Sequence, residues 1–163
     1  MAAEYSANEL QTVQPNLPVI FTESPVPCNR GLIFHRDESG VFQLANNAPV
    51  SNCNCSCGCG GCRRINETLY RVSFHGNIAV SEDGEAEEIQ LAISIGGEPD
   101  PSSIMRFTPA EVGDFGNVGA EIIVAGPSLC GCESISVRNI STQAIDVQNA
   151  NLTVDYIGVR RVS

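Results

Sequence analysis

Apolar and polar residues alternate with a period of two along most of this chain. In "TLYRVSFHGNIAV" (68–80), Leu69, Arg71, Ser73 and His75 share one side, and Tyr70, Val72, Phe74 and Gly76 share the other. Successive side chains of a strand point to opposite faces, so this stretch predicts a long, half-buried strand. "IQLAISIGG" (89–97) repeats the pattern with Ile89, Leu91, Ile93 and Ile95 on one side. Shorter runs bounded by Pro, Gly and Asn read the same way: "VIFTE" (19–23), "LIFHR" (32–36), "VFQL" (41–44), "IMRFT" (104–108), "VGAEIIVA" (118–125), "SISVRNIS" (134–141), "AIDV" (144–147) and "ANLTVDYIGV" (150–159). Turn signals separate them: "ESG", "SEDGEAEE", "EPDPSS" and "GPSLCGCE". No segment carries a convincing helical period beyond a weak hint over Glu4–Leu10.

The expected fold class is therefore all-β: a single jelly-roll sandwich of about ten antiparallel strands. Two units are expected. Residues 1–18, polar and holding two prolines, read as an extended N-terminal arm; residues 19–163 form the jelly roll, with a Cys-rich insertion at 52–64. A chain of 163 residues with 42% hydrophobic residues is long and apolar enough for one real core.

Charge narrows the function. The net charge is −10, and all nine basic residues are Arg. Binding nucleic acid requires a basic face to neutralise phosphates, so a nucleic-acid partner is not expected. Without Lys there is no Schiff-base chemistry and no phosphate-loop lysine. No apolar run approaches the roughly 18 residues of a membrane span, so membrane insertion is not expected. The N-terminal residues are acidic and contain no apolar signal core, so the expectation is a protein made without a recognisable secretion signal.

Cysteine supplies the candidate chemistry. Five of the eight cysteines lie in "NCNCSCGCGGC" (52–62): Cys53, Cys55, Cys57, Cys59 and Cys62. In an extended chain the first four thiols line one side, and neighbours two apart are poorly placed to pair with one another. If successive strands alternate in direction, the loop with Cys130 and Cys132 comes to the end of the domain where the Leu69 strand begins. Seven cysteines then meet at one pole. Three readings follow. Disulfides, within the domain or between subunits, stand slightly ahead and suit an oxidising location. A closed structural zinc site, at about 2.3 Å per sulfur, is the alternative. A loop of free thiols is the third. Cys28 reads as a small apolar side chain.

Other features carry less. His35 and His75 fall in strand patterns and read as packed or surface residues. The acidic run at 81–88 lacks the spacing of a calcium loop. The sequons at Asn66, Asn139 and Asn151 read as chance matches. "DFG" at 114–116 has none of the kinase machinery beside it. No catalytic residue is expected.

The segments "LYRVSFHGNIAV", "LAISIGGEP", "NV…IIV", "SISVRNIS" and "NANLTVDYI" together resemble the globular heads of complement-type and tumour-necrosis-factor-like jelly rolls. The resemblance is to the bacterial and phage variant found at the tips of collagen-like spore-surface proteins, and to uncharacterised clostridial and prophage proteins. It spans Leu69–Val159 and, more loosely, Val13–Leu44. It implies a homotrimer with a structural or adhesive role and no enzymatic activity, and it carries over no cofactor. The chain contains no Gly-X-Y stalk, so the layout of arm plus head suits a subunit docked on a larger particle. The function expected is a non-enzymatic structural subunit of a virion surface (head decoration or fibre) or another extracellular assembly, touching its neighbours or a capsid through residues 1–18. Alternatives are a module that binds a cell-surface glycan or receptor, and a metal protein centred on the cysteines.

Overall fold

The computed structural model describes residues 2–28, 32–45, 66–126 and 132–161. Twelve strands are found among them: β1 (Ala2–Ala7), β2 (Gln11–Val13), β3 (Glu23–Val26), β4 (Ile33–His35), β5 (Phe42–Ala45), β6 (Asn66–Val80), β7 (Ile89–Ile95), β8 (Glu98–Pro99), β9 (Met105–Phe107), β10 (Gly116–Ala125), β11 (Cys132–Asn139) and β12 (Ile145–Arg161). They form two antiparallel sheets. The first runs β10-β6-β12-β1-β3, with β2 also on β12; the second runs β4-β5-β11-β7-β8, with β9 also on β7. The expected all-β jelly-roll sandwich is what the chain adopts.

The alternation read from the sequence sets the core. Tyr70, Val72, Phe74 and Ile78 of β6, Leu152 and Val154 of β12, Leu91 and Ile93 of β7, and Ile135 and Val137 of β11 are buried between the sheets. Arg71 and His75, on the alternate positions of β6, are exposed. "AIDV" and "ANLTVDYIGV" are one strand rather than two. Asn149 takes a left-handed φ of 54° where the β12–β6 register shifts, and this bulge lets the strand continue.

The arm expected at residues 1–18 is not an arm. Strand β1 pairs with β12 from Ala2↔Asp155 to Ala7↔Ala150, and β2 continues along the same edge with Val13↔Ile145. Ala3, Tyr5, Ala7 and Val13 are buried in the core. Burying four apolar side chains in the domain's own sandwich removes more surface from water than an extended segment on the outside would.

The stretch 14–22 then crosses from the first sheet to the second and back. The Asn16 and Val19 amides donate to the carbonyls of Asn139 (2.8 Å) and Val137 (2.7 Å), and the Thr22 amide donates back to Ser6 (3.1 Å). "VIFTE" is therefore a strap closing the edge of the sandwich, with Val19 and Phe21 fully buried. Phe21 packs edge-on against Phe42 (5.4 Å between ring centroids) and Phe74 (6.5 Å), one from each sheet. Gly40 is required beside the strap, because a β-carbon there would lie 2.5 Å from the Val19 carbonyl.

Candidate functional site: the cysteine pole

The strand registers bring several chain ends to one end of the sandwich. Ala45, the last residue of β5, lies opposite Cys132, the first residue of β11. Ala125 at the end of β10 lies opposite Leu69, and the next amide, Gly126, donates to the Thr68 carbonyl at 2.7 Å. Asn66, where β6 begins, lies opposite Arg161 at the end of β12. The Ala45 amide donates to the Leu32 carbonyl at 2.8 Å. The described residues that flank 46–65 and 127–131 thus all stand at the same pole.

Tyr70 anchors this end from inside. Its side chain is fully buried, and its hydroxyl donates to the Ala45 carbonyl. Burial pushes that hydroxyl well above the usual phenol range, and neighbouring Cys28 and Tyr156 add to the effect. Tyr5 is pushed up to about 12 by burial and, secondarily, by Cys28. Cys28 is therefore close to both tyrosines. It is half-buried against the core and carries a free thiol. Cys132 is half-buried at the start of β11.

Of the candidate residues read from the sequence, Cys132 is placed at this pole. Cys53, Cys55, Cys57, Cys59, Cys62 and Cys130 lie outside the described residues. The position of Cys28 was not legible, because it depends on β3 pairing with β1 through Glu4↔Val26, inside what reads as an arm. The sequence signal for that strand is faint: Ala3, Tyr5 and Ala7 alternate, but only Tyr5 is a strand former.

The histidines lie elsewhere. His35 stacks on Phe42 at 4.3 Å between centroids, and its Nε2–H donates to the Ser39 carbonyl at 2.8 Å. His75 sits on the outward side of β6, opposite Asn151. Asn139 is fully buried, and its amide nitrogen is held by two carbonyls, so the middle sequon is closed to modification in the folded chain. At the other pole the loops 81–88 and 108–115 carry Glu82, Asp83, Glu85, Glu87, Glu88, Glu111 and Asp114 without a basic residue. The domain is acidic at the end opposite the cysteines.

No protein-family model matches the chain, and no curated protein matches it. Among solved structures it is similar to the globular domain of zebrafish complement 1qA protein, with a TM-score of 0.59 at 13% identity over 98% of both chains. It is also similar to Eiger TNF from S. frugiperda, with a TM-score of 0.63 at 10% identity over 97% of this chain and 92% of that one. At such low identity the likeness establishes the fold alone: this chain is a jelly-roll sandwich of the kind seen in complement heads and tumour-necrosis-factor domains.

Proposed function

We propose that the chain is a non-enzymatic structural subunit, a homotrimeric head of a virion surface or other extracellular assembly, covalently reinforced through its cysteine pole. One observation carries the reading: the chain ends that flank both Cys-rich stretches converge at one end of the domain. The trimer follows from the resemblance to complement- and TNF-type heads. Sulfur arithmetic supports bonds beyond the single chain. With Cys28 free, seven of the eight cysteines are left, and seven cannot all pair within one chain. A sulfur is left over for a second chain, for a metal or as a further free thiol. Residues 2–13 are built into the domain's own sheet, so docking to neighbours is not assigned to them.

The test is intact mass with and without reductant, non-reducing electrophoresis, and elemental analysis for zinc on protein purified without reductant. The reading expects each disulfide to lower the mass by two hydrogens, covalent multimers that collapse on reduction, and no stoichiometric zinc. Zinc near one per chain with all thiols recovered after chelation replaces cross-linking with a closed metal site. Monomeric bands with neither zinc nor mass deficit remove both.

A further inference from the structure

The two sheets hold their arginines differently. On the first sheet Arg71 reaches Glu121 (3.5 Å) and Arg160 reaches Glu67 (2.7 Å). On the second, Arg36, Arg106 and Arg138 have no carboxylate within ion-pair distance among the described residues. The chain has 19 acidic residues against nine basic ones, so their isolation is a feature of this face and not of a shortage of acids. The outward positions of β4, β5, β11, β7 and β9, with residues 36, 41 and 104 that continue three of those strands, include no Asp or Glu. Asp37, Glu38 and Glu88 stand at the borders, and Glu88 accepts from Gln90 Nε2 at 2.6 Å.

The registers put the three arginines on one line. Arg36, one residue past β4, continues the pairing across β5 to Ser136 of β11. Arg138 lies two residues further along β11. Arg106 of β9 lies opposite Gln90, whose carbonyl accepts from the Ile140 amide (3.1 Å), two residues further again. Each step crosses two strands and advances two residues. At ~4.8 Å per strand and ~3.4 Å per residue, the arginines stand ~12 Å apart on a diagonal across the sheet. Between them Ser136, Ser94 and Ala92 form a low floor, and Ser94 Oγ on this side is fully buried without a hydrogen-bond partner. At one margin Phe34, 47% exposed, stands opposite Gln43, which stands opposite Ser134.

We propose that the outward face of the second sheet binds an acidic polysaccharide, a chain of pyranose rings bearing carboxylates, laid along this diagonal. A guanidinium fork matches a carboxylate with two parallel hydrogen bonds. Arg138 is already oriented: its Nε donates to Ser136 Oγ (3.0 Å) and its Nη1 to the Asn16 carbonyl (3.0 Å), which leaves Nη2 uncommitted. The exposed Phe34 ring takes the apolar side of a sugar ring, and the Gln43 amide and Ser134 hydroxyl meet its hydroxyl groups. The wide spacing of the cations separates this ligand from a nucleic acid. A single strand carries a phosphate about every 3.4 Å, and a chain with a net charge of −10 repels so dense an anion. Sparse carboxylates on a mostly neutral chain fit three cations set far apart. This binding face goes beyond the proposed structural role and rests on neither the trimer nor the cysteine pole.

The test is surface plasmon resonance of the full chain over immobilised hyaluronan and polygalacturonate, with neutral dextran and single-stranded oligothymidine as controls. Binding to at least one of the two acidic polysaccharides is expected, weakening as salt is added, with none to dextran or to the oligonucleotide. Arg36→Gln and Arg106→Gln should each weaken it by about fivefold to tenfold. Both side chains are exposed and unpaired, so the Tm of each variant should stay at the wild-type value. Arg160→Gln, on the first sheet, should bind as the wild type does. Binding to neither acidic polysaccharide, equal binding to dextran or oligothymidine, wild-type affinity in both Arg36→Gln and Arg106→Gln, or an equal loss in Arg160→Gln would each overturn the inference. A monomer that binds overturns the trimer and leaves this face standing.

Discussion

Replacing Asn139 by Leu tests whether the N-terminal segment belongs to the fold. The Asn139 side chain is fully buried at the end of β11. Its amide nitrogen donates to the Val13 carbonyl (3.0 Å) and the Gln143 carbonyl (2.9 Å), and its oxygen accepts from the Ser141 amide (2.8 Å). It therefore ties β2 on the first sheet to β11 on the second. Leu has a similar size but makes none of the three bonds, and it leaves the buried Val13 carbonyl and two half-buried backbone groups, the Gln143 carbonyl and the Ser141 amide, without this partner. The buried group costs about 1–3 kcal/mol and the half-buried ones roughly 1 kcal/mol each, partly offset by roughly 1 kcal/mol of added apolar burial, so the expected loss is about 2–4 kcal/mol. For a domain of this size that lowers Tm by roughly 4–15 °C. The assay is urea unfolding in reductant, with an unchanged slope. A loss below about 1 kcal/mol would refute the account of residues 11–18 as part of the domain.

Three further outcomes follow from the packing. Phe21→Ala should cost about 3–5 kcal/mol, because Phe21 fills the space between Phe42 and Phe74, whereas Ile20→Ala, at 41% exposed, should stay within about 0.5 kcal/mol; chemical denaturation of the pair checks this. Gly40→Ala should destabilise by about 1–3 kcal/mol, since its β-carbon meets the Val19 carbonyl, and a neutral result would show that the strap yields there. Alkaline stability depends on the buried tyrosines. Their folded pKa values lie above the ordinary 10, so the folded state holds protons that the unfolded state releases. The stabilisation is complete below pH 10 and is lost as pH rises through 10 toward about 12 and beyond. Tyr5→Phe should flatten the fall in Tm measured from pH 9 to pH 12, and an unchanged slope would count against the burial of its hydroxyl.

The sandwich was legible where alternation is strong. The pattern of residues 68–80 and 89–97 gives both central strands with their inward faces, since large β-branched and aromatic residues mark a pleated surface. It fails in the N-terminal segment, where the inward positions of β1 are Ala3 and Ala7 around a single Tyr5. Alanine buries little area and carries no strand preference, so the tertiary partner β12 decides the structure there. Strand 19–23 fails differently. Its apolar residues are buried, but they span two sheets instead of continuing in one, which only the long-range bonds to Val137 and Ser6 reveal. Counting strand directions was enough to place the Cys132 end beside the start of β6, because antiparallel order fixes which loops share a pole. It could not place Cys28, whose neighbours Tyr5 and Tyr70 are distant in sequence.

The mass of the assembly under reducing conditions tests the central claim most directly. Sedimentation equilibrium with the cysteines reduced isolates the non-covalent contacts. The account predicts a base unit of three 17.3 kDa chains. A single 17.3 kDa species at micromolar concentration would contradict it.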